Sequence, residues 1–171
     1  MACKSFALSG IAMGCKDNLG GIKEVYIIKS GDVEGVELNT EASQIQMIKL
    51  GETAKFKTYK FRKGTASMTS TAASDEQIGN FSVTTELQLQ FSKMETSKRL
   101  EIMALCLEDV AVIVLDWNGK YWYLGYDFPV SATAATDLNG YTVTLSDTSA
   151  EFPFEIPAEL LDGMIQNAPV V

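Results

Sequence analysis

The sequence predicts a mainly β, single-domain protein: a β-barrel or β-sandwich with one long hairpin and one packed α-helix. Three observations carry this. First, Asn80 to Ser92 alternates without a break, with Phe81, Val83, Leu87, Leu89 and Phe91 on one side and Thr85 among them. A strand sends successive side chains to opposite faces, so this is one strand with a dry face and a wet face. At ~3.3 Å per residue it is roughly 40 Å long, about twice a usual strand. Second, Gly, Asn and Asp turn signals divide the rest into short β-prone runs, about ten strands in all. Third, the 171 residues are 46% apolar and 21% charged, which suits one globular core without a linker.

Taken in order, residues 1–21 read as an N-terminal strand or an arm ordered by a partner, closed by Gly20-Gly21. Its apolar part faintly resembles a secretion signal but is short and interrupted by Ser9, Gly10 and Gly14. Ile22 to Ile28 is a strand, Val33 to Leu38 a weaker one, and Ser43 to Ile48 another short one. Lys55 to Lys63 interleaves Phe56, Tyr59 and Phe61 with five basic residues. Residues 65–92 form one long hairpin, turning at Ser74 to Gly79. Residues 95–108 have helical period, with Leu100, Ala104 and Leu107 on one face and Met103 beside them. Ile102 and Cys106 widen that arc, which predicts a well-covered helix with Cys106 in the core. Val110 to Leu115 is continuously apolar and reads as a strand buried on both faces. Asn118-Gly119 predicts a hairpin turn with both residues at positive φ, returning through Lys120 to Tyr126. Phe128 to Thr133 and Tyr141 to Leu145 flank a second Asn-Gly, and Pro153 confines Glu151 to Ile156 to an edge or bulge. Residues 157–171 read as a short helix begun by Pro157 and a loose tail.

Composition narrows the chemistry. Histidine is absent, which removes Ser-His and Cys-His nucleophile pairs, His metal ligands and the usual base near pH 7. Cys3, Cys15 and Cys106 are odd in number and widely spaced, so neither a disulfide framework nor a zinc site is expected, and the thiols read as reduced and mostly buried. No phosphate-binding glycine loop is present, and no cofactor or metal is expected. No run of 18 apolar residues occurs, so no membrane-spanning helix is expected. The net charge of −8 is unevenly spread: residues 1–85 hold ten Lys/Arg and nine Asp/Glu, residues 86–171 four and thirteen. Such polarity suits head-to-tail association, or simply an acidic, soluble surface. Lys55, Lys57, Lys60, Arg62 and Lys63 are candidate inter-subunit contacts. A solvated strand and a nucleic-acid grip are the other readings of that segment, the latter weakened by a pI of about 4.6.

Four strings are distinctive: Phe56-Lys-Thr-Tyr-Lys-Phe-Arg-Lys63, Thr85-Glu-Leu-Gln-Leu-Gln-Phe91, Lys93-Met-Glu-Thr-Ser-Lys-Arg99 and Asn118-Gly-Lys-Tyr-Trp-Tyr-Leu-Gly-Tyr-Asp127. They resemble virion proteins of gut-bacterium tailed bacteriophages, in particular tail-tube-like and ring (head–tail connector or tail) proteins such as those of crAss-like phages, over about residues 2–165. The resemblance implies a non-enzymatic structural subunit of tail-tube type. Copies would close into a six- or twelve-fold ring, meet other tail or portal-proximal virion proteins, and pass DNA during ejection without sequence-specific binding. It implies a place in the virion tail after assembly in the host cytoplasm. In that picture Ser82, Thr84, Glu86, Gln88, Gln90 and Ser92 line the channel. The competing expectation is a receptor- or carbohydrate-binding module of a virion, with Tyr121, Trp122, Tyr123 and Tyr126 as stacking rings.

Overall fold

The structure, a computed structural model, describes residues 8–169. It is mainly β, with one α-helix. Three layers stack. The outer one is a four-stranded antiparallel sheet in the order β5 (Ser67–Asp75), β6 (Asn80–Ser92), β10 (Gly140–Ser149), β9 (Ser131–Asp137). The middle one is a six-stranded sheet whose centre is β1 (Ile22–Lys29) and β7 (Val110–Asp116). β8 (Tyr121–Leu124) and β11 (Phe154–Ile156) extend it on one side, β4 (Phe56–Tyr59) and β12 (Ile165–Gln166) on the other. The third layer is a ribbon of β2 (Val33–Leu38) and β3 (Ile45–Leu50). Each sheet is open among the described residues, so the chain builds a sandwich and does not close a barrel on itself.

Two cores follow from this stacking. Leu87, Leu89, Val143 and Leu145 of the outer sheet meet Val25, Ile27, Val112 and Val114 of the middle one. On the other side Tyr26, Ile28, Ile113 and Leu115 meet Ile45 and Ile48 of the ribbon. β7 is therefore covered on both faces, which is why it carries an unbroken apolar run. β6 spans the thirteen residues expected, and its burial alternates from Val83 to Leu89 as the sequence does. Thr85 is buried on the dry face of β6, where its hydroxyl is satisfied by that of Ser70 across the strand pair at 2.8 Å.

The helix α1 (Thr96–Leu107) sits where expected but faces otherwise. Ile102 and Leu105 are its buried residues; Leu100, Met103 and Leu107 are exposed at 59%, 48% and 78%. The Leu100–Ala104–Leu107 stripe is therefore the outer face, and the helix is half covered rather than well covered. Cys106 is exposed, not in the core, and Cys15 is exposed too; Cys3 lies outside the described residues. The cause is docking by the Ile102–Leu105 stripe, which leaves the opposite side uncovered among the described residues.

Smaller departures have local causes. Only four residues of the 55–63 segment form strand, because β4 ends before the turn at Arg62–Thr65. The turn at Asn118 places Gly119 alone at positive φ (82°), with Asp116 Oδ1 accepting from Asn118 N and Lys120 N, so it is a longer loop with a glycine bulge. Gly140 opens β10, and a Cβ there would lie 2.1 Å from the Phe91 carbonyl oxygen. β9 starts later than expected, at Ser131. The C-terminal segment forms a 3₁₀ turn at Ala158–Leu161, then returns to the middle sheet as β12, parallel to β4. Residues 8–20 form neither helix nor strand.

Candidate functional site

The outer sheet presents its second face to solvent, and the register fixes what lies there. Gln88 pairs with Ser67 on one side and Thr144 on the other, and Thr144 with Thr133. Glu86 lies between Thr69 and Ser146, with Ser131 beyond. Gln90 meets Thr142, and Thr84 lies between Thr71 and Thr148. Thr84, Glu86, Gln88, Gln90 and Ser92 are exposed and Ser82 is half-buried, so the six candidates share one face. Their neighbours on three other strands are mostly hydroxyls, broken by Ala73, Ala135 and Gly140, a pattern that pairing alone reveals. None of the four strands contains a lysine, arginine or proline. Glu86 is the one carboxylate in mid-face, with Asp75 and Asp137 at strand ends.

Both edges of this sheet are free among the described residues: β5 pairs only with β6, and β9 only with β10. Natural edge strands carry lysine, proline or an inward charge to prevent pairing with another chain. Neither edge has these guards over Ser67–Ser74 or Ser131–Thr136. Beside β9 the core is unfinished. Ala134 points to the dry side opposite Val143, yet is exposed. A groove of about 550 Å³ runs there between α1 and β9, lined by Met94, Met103, Cys106, Ala134 and Tyr141 among others. At the far end, β5 and β6 run on past Val83, where β10 stops, so the hairpin tip stands clear with Ile78 and Phe81 exposed.

The basic segment belongs to the middle sheet and its exit, not to the long hairpin. Lys55 and Lys57 border a hollow with Glu101 and Glu108 of α1 and its flank. Lys60 is exposed on the way out of β4. Lys63 Nζ lies 5.2 Å from the Trp117 ring centroid, a cation–π contact shared with Lys23 at 5.9 Å. Arg62 borders a hollow with Gln90, Ser92 and Asp137 at the base of the hydroxyl face. The five cations thus do not share one hollow.

Two buried polar groups stand out. Asp147 lies on the dry side opposite Thr85, and its Oδ1 has no protein partner. Burial raises its carboxyl above the usual range; the Gly125 backbone N–H opposes this, the Asp127 charge adds to it, and the Thr148 N–H opposes it. Burial, with the Asp147 charge nearby, pushes the Tyr123 phenol up to about 12. The Tyr59 hydroxyl donates to Glu101, tying β4 to α1, and burial followed by that contact raises its pKa.

The four aromatics near β8 do not share a sugar-stacking face. Tyr123 is buried, Tyr121 stacks on Tyr26 at 6.2 Å, and Tyr126 meets Phe154 edge-on at 5.1 Å. Trp122 packs against the core and donates to Asp116 Oδ2 at 3.1 Å. Among the described residues no three His, Cys, Asp or Glu side chains gather to hold a metal, and no helix is long and apolar enough to cross a membrane. Comparison with protein-family models, curated proteins and solved structures finds no match to this chain.

Proposed function

We propose that the chain is a non-enzymatic structural subunit of a tailed-phage virion, closing with copies of itself into a ring or tube through which DNA passes. The observation that carries this is the outer sheet: four strands, two unguarded edges and a face of hydroxyls and amides without a cation. Its strands alternate in direction from β5 to β9, so β9 of one copy meets β5 of the next antiparallel and the ladder continues unbroken. Closure removes both edges.

The geometry suits a wide bore. Six copies would supply about 24 strands; at ~4.8 Å spacing and ~40° tilt the wall is roughly 45–50 Å across. The strands of the hydroxyl face, turned inward, offer DNA phosphates no counter-charge of their own, and Arg62 borders only the base of that face. Affinity for duplex DNA comes chiefly from Lys and Arg on phosphates, so such a wall lets DNA move without holding it. The lone mid-face carboxylate, Glu86, adds weak repulsion.

Negative-stain microscopy and mass photometry of the purified chain test this. Closed rings with a hollow centre are expected, their population rising with concentration. A chain that stays monomeric at every accessible concentration, alone and mixed with the other structural proteins of its virion, overturns the reading.

A further inference from the structure

Residues 8–20 are exposed throughout, with Leu8, Ile11 and Met13 at 102%, 101% and 100%. Such apolar exposure within one short segment asks for a covering surface. From Gly10 to Cys15 the segment alternates: Ile11, Met13 and Cys15 on one side, Gly10, Ala12 and Gly14 on the other. Extended, it has one apolar edge and one with almost no side chain, a shape that lies flat in a groove.

Its root is fixed. Leu19 N donates to Asn118 Oδ1 at 2.9 Å, and Asn118 Nδ2 donates to Asn18 Oδ1 at 2.7 Å. Asn18 and Leu19 border a hollow whose other side is Ala66, Ser67 and Met68, the start of β5. The arm therefore leaves the body at the β5 edge. The uncovered groove between α1 and β9 lies at the opposite edge of the same sheet. Root and groove are level: Met68 pairs with Leu87, Leu87 with Leu145, and Leu145 with Ala132. When β5 of one copy lies against β9 of the next, the arm root of the first stands beside the groove of the second. Eleven residues from Leu8 to Asn18 reach roughly 35 Å extended, more than enough to span the junction.

We infer that the arm of each subunit straps into the α1–β9 groove of its neighbour, setting Ile11, Met13 and Cys15 against Met94, Met103 and Cys106. This rests on the ring reading and names a contact within it. The strap is head-to-tail: each copy gives one arm and receives another, so the contact runs round the ring. It also covers Met103 and Cys106, which this chain leaves exposed on the β9 side of the helix.

Cys15 and Cys106 provide the probe. In a Cys3→Ser background, assembled rings treated with a short bismaleimide are run on denaturing gels. A ladder from dimer up to the full ring is expected, and Cys15→Ser or Cys106→Ser should each abolish it. A ladder that stops at dimer, a product of monomer size from an arm folded onto its own groove, or rings with no crosslink overturns the strap while leaving the ring reading intact. Absence of rings overturns both. As a second measure, Ile11→Asp with Met13→Asp should raise the concentration at which rings dissociate tenfold or more; unchanged dissociation overturns the proposal.

Discussion

At the scale of single residues, the two faces of β6 make opposite demands. Leu87 is fully buried between the sheets, whereas its neighbour Glu86 points to water. Leu87→Asp puts an unpaired charge into the first core and should unfold the chain, at a cost of several kcal/mol. Glu86→Ala should shift stability by less than about 0.5 kcal/mol. Urea unfolding followed by circular dichroism checks both, and similar midpoints for the two variants would contradict the face assignment. Asp147 supplies a pH dependence. Its folded carboxyl titrates above its unfolded value, so the folded state binds the proton more tightly. The stability it contributes is whole below the unfolded pKa and lost as pH rises through the folded one. Asp147→Asn should therefore stabilise the protein at neutral pH by on the order of 1 kcal/mol. The gain should shrink as the solution is acidified, which melting curves across pH will register. A gain independent of pH would mean that the carboxylate's burial is not its source.

At the scale of elements, the free edge of β9 is the feature to perturb. Ala134 faces the dry side but is exposed, so a lysine there reaches water in the lone subunit and is buried when a neighbour pairs. Ala134→Lys should leave the melting temperature of the monomer nearly unchanged and abolish rings in mass photometry; rings that persist would place the junction elsewhere. This edge also marks how far a sequence can be read. The bounds of β6, the hairpin with β5 and the doubly buried β7 were legible, because period and apolar run length are properties of one segment. The helix was legible as a helix, but not its orientation. Leu100–Ala104–Leu107 and Ile102–Leu105 are both apolar stripes, and only the position of the sheet decides which is buried. The hydroxyl face was half legible. β6 showed its own polar side, but Thr133, Thr144 and Thr148 join it only through register. That β5 and β9 are edges follows from which strands pair, and no single strand records it.

At the scale of the whole molecule, the absence of cations from the outer sheet is the property with functional weight. Thr84→Lys, Gln88→Lys and Gln90→Lys together would line that face with ammonium groups on exposed positions. The triple variant should fold and assemble as before but retain duplex DNA, with affinity falling steeply as salt rises. Fluorescence anisotropy across a salt series measures this, and failure of assembled variant rings to gain affinity would contradict an inward-facing hydroxyl wall. The projecting tip of the β5–β6 hairpin bears on the same scale. It extends from one end of the sheet only, carrying Ile78 and Phe81, while the other end is closed by the turn at Leu138–Asn139 and the chain leading into α1. A ring of such subunits has two unlike rims, one spiked and one smooth. Stacked rings would then grow with a built-in direction, every interface joining spikes to a smooth rim, and the shape of the subunit supplies no signal to stop.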